Sequence, residues 1–199
     1  MPERIRTQIT ARLHQLLPAR AARRFARHQK GAAAVEFALV AVPFLALTFA
    51  IIETALVFYA GQVLESAASD TGRMIMTGQA QQDISPTTGN VGFTQNDFKN
   101  AVCSYLAGSM FDCNGVYVNV TSYSSFGTVN TAPPVTNGQL NTANLNYQPS
   151  GPNCIVAVQL YYQWPIYVSL LGDNLQNLTG NNRLLVATNV FRNEPYQSN

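Results

Sequence analysis

Histidine is almost absent from this chain. Of 199 residues, only His14 and His28 are histidine, and both lie in the first 31 positions. From residue 32 onward there is none. The main body therefore has no His-based triad, no His-ligated metal site and no His general base. Charge is also scarce, at 11% of residues against about 25% in ordinary soluble proteins. The three cysteines form no CxxC pair. No G-x-S-x-G, P-loop or HExxH string occurs. These absences argue against an enzyme and imply no cofactor and no metal. Yet hydrophobic residues make up 47%, which excludes a disordered chain. The length suits one domain, at most two.

The charges that exist are unevenly placed. Residues 1–31 hold eight basic groups (Arg4, Arg6, Arg12, Arg20, Arg23, Arg24, Arg27, Lys30) and one acid, Glu3, for a net +7. Residues 32–199 hold four basic groups (Arg73, Lys99, Arg183, Arg192) and nine acids, for a net −5. The overall +2 hides two pieces with different surroundings. A nucleic-acid-binding arm would interleave aromatics among its arginines; only Phe25 does so, and no nucleic acid is expected as a partner.

Between Glu36 and Glu53 lie sixteen uncharged residues, FALVAVPFLALTFAII, and the apolar run resumes as TALVFYAGQVL. Phe37 to Tyr59 would span about 34 Å as a helix at 1.5 Å per residue. A bilayer core needs about 30 Å, so a single transmembrane helix is expected. The preceding positive charges keep the N-terminus in the cytoplasm and send the C-terminal body outward. They also attract anionic membrane lipid. A cleaved secretory signal competes with this reading, but its apolar region should be only about 7–15 residues.

Two carboxylates interrupt the apolar helix. Glu53 is expected near the outer boundary, with its side chain turned toward the interface. Glu36, at the inner boundary, is costly unless paired. Lys30 is one partner within the chain. Pro43 removes a backbone hydrogen bond and should kink or loosen the helix.

The string Lys30-Gly31-Ala32-Ala33-Ala34-Val35-Glu36-Phe37 places a basic residue, Gly, four small or apolar residues, Glu and an aromatic at the head of this helix. It resembles a type IV prepilin processing site, which a membrane-embedded peptidase cuts after the Gly. The resemblance implies cleavage between Gly31 and Ala32. Glu36 would then be the fifth mature residue, able to neutralise the new ammonium of a neighbouring subunit and set its register. Further features follow: Pro43, Ile51-Ile52-Glu53, Gln62 and Leu64, Ala67-Ala68 and Gly72-Arg73. Over roughly residues 23–80 the chain resembles the TadE-like minor pseudopilins of tight-adherence (Tad/Flp) pilus systems. That implies a minor subunit of pilus assembly or initiation, serving surface adhesion. The implied partners are a prepilin peptidase, other pilins and pseudopilins, and the inner-membrane assembly platform. The implied location is the bacterial inner membrane, with the body periplasmic or in the extracellular pilus. An uncleaved single-pass anchor of the same system and a type II secretion pseudopilin remain alternatives. A membrane-tethered hydrolase would need paired carboxylates, and the body past the helix offers only scattered ones.

Beyond the membrane, Val63, Leu64, Ala67, Ala68, Thr71, Met74 and Ile75 keep helical spacing to about Gly78. Residues 79–93 read as a loop. Thr94-x-x-Asp97 marks a helix start. Residues 115–123 alternate as a strand, with Val116, Val118 and Val120 on one face. Residues 124–153 read as a long irregular excursion. Strands are expected at 154–163, ended by Trp164-Pro165, and at 183–192. The fold expected is α+β: a long N-terminal membrane helix extending into a small antiparallel sheet. The divisions are a basic leader (1–31), a membrane helix (32–60), a helical extension with a second helix (61–110) and a β-rich domain (111–199). From Cys113 to Gly172 there is no charge. Tyr161, Tyr162, Trp164 and Tyr167 are candidates for an exposed binding cluster, although half of any strand must face inward. A Cys103–Cys113 disulfide is favoured by proximity in the sequence, leaving Cys154 as a buried thiol in an apolar strand.

Overall fold

The computed structural model describes residues 29–167 and 175–197. The basic leader up to residue 28, and Asp173, lie outside them. The backbone divides into two compact units, with the boundary between Phe49 and Ala50.

One helix, α1 (Gln29–Met76), crosses that boundary. In the first unit it is apolar and exposed all round: Phe37 is 74% exposed, and Leu39, Val42 and Phe44 are similar. Such a surface suits lipid rather than water. Thr48 returns its hydroxyl to the Phe44 carbonyl at 2.8 Å, so it presents no unpaired donor there. The helix continues through Pro43. The proline ring withholds the N–H that the Leu39 carbonyl would otherwise accept.

In the second unit the same helix becomes one-sided. Glu53, Val57, Ala60, Leu64, Ala67, Ala68, Thr71 and Ile75 are buried, at the three- and four-residue spacing of a core-facing stripe. The helix stops at Met76, where Gly78 takes a positive φ of 82°. A side chain at Gly78 would stand 2.6 Å from the Tyr196 ring, so only glycine fits this turn.

Residues 79–93, expected as a loop, contain a short helix α2 (Gln79–Gln82) and a bridge between Ile84 and Val91. The correction has a tertiary cause. Phe93 N–H bonds the Ala80 carbonyl, and Gln81 reaches the carbonyls of Pro149 and Ser150. Helix α3 (Gln95–Leu106) starts at the expected place. Thr94 and Asp97 cap it reciprocally.

Three strands form an antiparallel sheet: β1 (Val116–Tyr123), then β4 (Ile155–Pro165) in the centre, then β5 (Asn182–Arg192). The register sets Val118 opposite Leu160, and Leu160 opposite Ala187. One face of the sheet carries Val116, Val118, Val120, Val158, Leu160, Leu185 and Ala187, in one core with the buried stripe of α1 and with Phe98 and Val102 of α3. The other face, with Tyr161 and Leu184, packs with Leu140 and Leu178. Strand β4 was expected to end before Trp164-Pro165 but includes both. Pro165 is tolerated because it is the last residue of the strand. The excursion 124–153 is largely irregular, as expected. It also holds a two-residue hairpin, β2 (Val135–Thr136) and β3 (Gln139–Leu140). Asn137 and Gly138 turn it with positive φ values of 52° and 72°, the conformation that Asn-Gly supplies at least cost. The architecture is α+β.

Candidate functional site

The residues singled out at the head of α1 lie on continuous helix. Gly31 and Ala32 fall in its first described turn, and Glu36 follows one turn later. Glu36 and Phe37 are exposed. Leu39 and Val40, three and four residues on, share the Glu36 face and are exposed too. Among the described residues no ion pair neutralises this carboxylate. A carboxylate on an apolar helix face is stable in lipid only when a positive group comes to it. The Gly31–Ala32 bond would have to leave the helix to be cut. Glycine eases that step by about 1 kcal/mol relative to alanine.

Glu53 differs from its expectation. It does not turn to an interface. It is 6% exposed, and its carboxylate accepts the backbone N–H of Tyr167, 114 residues away. It is the first member of the buried stripe. Because an unpaired buried carboxylate is costly, this bond fastens the end of β4 to α1 at the point where the folded unit begins. Beyond Glu53 only one side of α1, with Leu56, Phe58 and Tyr59, stays exposed, so the stretch exposed on all faces runs from Val35 to Ile52. Those 18 residues rise about 27 Å, within the range of a bilayer span.

The small residues further along α1 also have a structural account. Ala67 and Ala68 are buried, and a Cβ added to Gly72 would meet Asn189 Nδ2 at 2.8 Å and Phe191 Cε1 at 3.1 Å. They let β5 approach the helix closely.

Asp97 was read only as a helix start, but it organises a larger cluster. It accepts hydrogen bonds from Ser85 Oγ (2.6 Å), Thr87 N (3.1 Å), Thr87 Oγ1, Thr94 N (2.8 Å) and Thr94 Oγ1 (2.6 Å). Burial opposes its charge, but the bonds from Ser85, Thr87 and Thr94 outweigh that and hold the carboxyl well below its ordinary range. For the Tyr147 hydroxyl, burial raises the pKa, and the Asp97 charge raises it further. The five donors ionise Asp97 firmly, which suits a structural clasp rather than a proton donor. Ser85 and Thr87 come from a segment read as loop, so only their hydroxyl content hinted at the clasp.

Cys103 and Cys113 are joined by a disulfide, Cα–Cα 5.7 Å, between the last turn of α3 and the start of the turn before β1. Cys154 is free, half-buried and just ahead of β4, not inside it. The aromatic cluster divides. Tyr161, Tyr162 and Trp164 are buried, because β4 is the central strand, while Tyr167 is 82% exposed. Phe111 packs edge-on against Tyr162 at 4.7 Å, so most of the expected binding cluster is core. Among the described residues no three His, Cys, Asp or Glu side chains gather as a metal site.

α1 carries an exposed carboxylate near its head and, inside the second unit, a buried one that accepts the Tyr167 N–H. Residues 31–73 match the TadE-like protein family. No curated protein and no solved structure matches the chain. The match begins at Gly31 and ends at Arg73. It takes in both carboxylates, Pro43 and the small residues under β5, and stops before the sheet. The TadE-like segment implies a membrane protein associated with a Tad pilus. Its α1 is a candidate single membrane span.

Proposed function

We propose that the chain is a minor pseudopilin of a Tad/Flp-type pilus, made as a precursor and processed after Gly31 by a prepilin peptidase. The TadE-like match starting at that glycine carries the reading. The exposed carboxylate five residues later, which has no ion pair among the described residues, supports it. On this reading residues 1–31 stay cytoplasmic, Val35–Ile52 cross the inner membrane, and the sheet unit lies in the periplasm. Cleavage frees an ammonium on Ala32. When helices of neighbouring subunits pack side by side, Glu36 of one subunit neutralises the Ala32 ammonium of the next. In low dielectric an unpaired member is expensive, so the pair fixes axial register. The protein is a substrate of the peptidase and not an enzyme. Its partners are the peptidase, other pilins and pseudopilins, and the inner-membrane assembly platform. Its output is pilus assembly or initiation, for adhesion to surfaces.

Replacing Glu36 with Ala tests the pairing role. Cleavage should proceed as in the wild type. Recovery of the subunit with sheared pili should fall about tenfold or more, since a pairing energy above 1.4 kcal/mol is lost. Unchanged recovery would sink the role given to Glu36.

A further inference from the structure

Strand β5 runs alongside α1 in the same direction. At its start, Asn182 pairs with Pro165 and Arg183 with Trp164. Two residues past Pro165, Tyr167 N–H meets Glu53. At its far end Phe191 lies against Gly72, and Glu194 N–H bonds the Met76 carbonyl at 2.8 Å. Arg183 therefore sits at the Glu53 end of the sheet, where α1 leaves its exposed apolar stretch.

At that end α1 and β5 flank an open groove of about 310 Å³. Val57, Phe58 and Gly61 line it from the helix; Arg183, Leu184 and Leu185 line it from the strand. A Cβ at Gly61 would meet nothing within 4 Å, so the floor is unfilled. Phe58 is 70% exposed. Arg183 Nη1 donates to the Leu175 carbonyl at 2.8 Å, which uses one of the five guanidinium N–H groups. Glu65 lines the groove too, about 10 Å further along the helix than Phe58.

We infer that this groove holds one phospholipid of the outer leaflet. Its phosphate lies on Arg183, its amine headgroup points to Glu65, and its acyl chains pass over Phe58 into the bilayer. The inference rests on Val35–Ile52 being a membrane span with the sheet unit outside. Three observations carry it. The body from residue 32 has a net charge of −5, yet one of its few cations stands at the membrane-proximal end. Arg73, Arg192 and Lys99 lie elsewhere: near the end of α1, at the end of β5 and on α3. Among the described residues Arg183 makes one hydrogen bond, and a guanidinium with N–H groups to spare suits a phosphate diester. The apolar wall is continuous along α1 with the exposed Ile51, Ile52 and Leu56. The exposed aromatics Phe58, Tyr59 and Tyr167 gather at this level, as they do in the headgroup layer of membrane proteins. The carboxylate at the other end of the groove selects a zwitterionic headgroup over an anionic one.

The test uses the full chain in nanodiscs of equal phosphatidylethanolamine and phosphatidylglycerol, released gently and weighed by native mass spectrometry. One retained phosphatidylethanolamine per chain is expected. Arg183→Gln should lower the retained fraction about fivefold or more. Phe58→Ser, at an exposed position outside the core, should also lower it with no change in melting temperature. Arg73→Gln should leave it unchanged. Retention by Arg183→Gln equal to the wild type would overturn the site. So would preference for phosphatidylglycerol, or displacement of the lipid by excess inorganic phosphate, which would mark a free-anion site. Insertion into the nanodisc is scored separately. A chain that never inserts contradicts the membrane reading, and this site falls with it; an inserted chain without retained lipid contradicts this site alone.

Discussion

At the residue scale, three carboxylates have separate fates. Glu36 is exposed on an apolar helix face, with no ion pair among the described residues. Glu53 is buried and accepts a backbone N–H. Asp97 is buried and accepts five donors. The last gives a pH signature with a definite sign. Its folded-state pKa is depressed below the ordinary carboxyl value of about 4. Its contribution to stability is therefore fully present above about pH 4 and is lost as pH falls through the lower folded-state value. Asp97→Asn should lower the melting temperature at pH 7, because it replaces an acceptor of five bonds with a side chain that must donate on one side. The gap to wild type should narrow steadily below pH 4. A gap independent of pH would show that the clasp does not depend on ionisation. Glu53 shows the limit of reading residues from sequence. Its partner lies 114 positions away, so no local pattern distinguishes a docked carboxylate from one turned to an interface. The string that singles out Glu36, from Gly31 to Phe37, is wholly local.

At the element scale, α1 changes character along its length without changing its backbone. Its first part is apolar on all faces; from Glu53 onward it presents one stripe to a sheet. The small residues in that stripe set the packing distance. Gly72→Leu should destabilise the folded unit by about 1–3 kcal/mol through overpacking against Asn189 and Phe191. Gly61→Ala, where a Cβ meets nothing within 4 Å, should stabilise it by about 0.5–1 kcal/mol. Chemical unfolding of the full chain in detergent micelles measures both, and equal effects of the two variants would contradict this packing. Elements with local signals were legible. The Thr94–Asp97 cap, the Val116–Val118–Val120 alternation and the two long strands all stand where periodicity puts them. Elements held by distant partners were not. Helix α2 depends on Phe93, Pro149 and Ser150. The aromatic cluster is mostly buried because β4 is the central strand, and strand order is not written in the strand itself.

At the scale of the whole molecule, the charge arithmetic and the fold divide the chain at different places for different reasons. The charge boundary lies at Gly31, between a +7 leader and a −5 remainder. The packing boundary lies near residue 50, where α1 acquires a sheet to pack against. Between the two is an apolar helix carrying one exposed carboxylate. On the pseudopilin reading, the leader orients the precursor in the membrane and is then discarded. What remains is an acidic, charge-poor subunit with a new ammonium at its first residue. The most direct test of that claim is the intact mass of the protein purified from cells with and without the prepilin peptidase. A chain beginning at Ala32 is expected when the peptidase is present, and one beginning at Met1 when it is absent. A chain beginning at Met1 in both would contradict the claim.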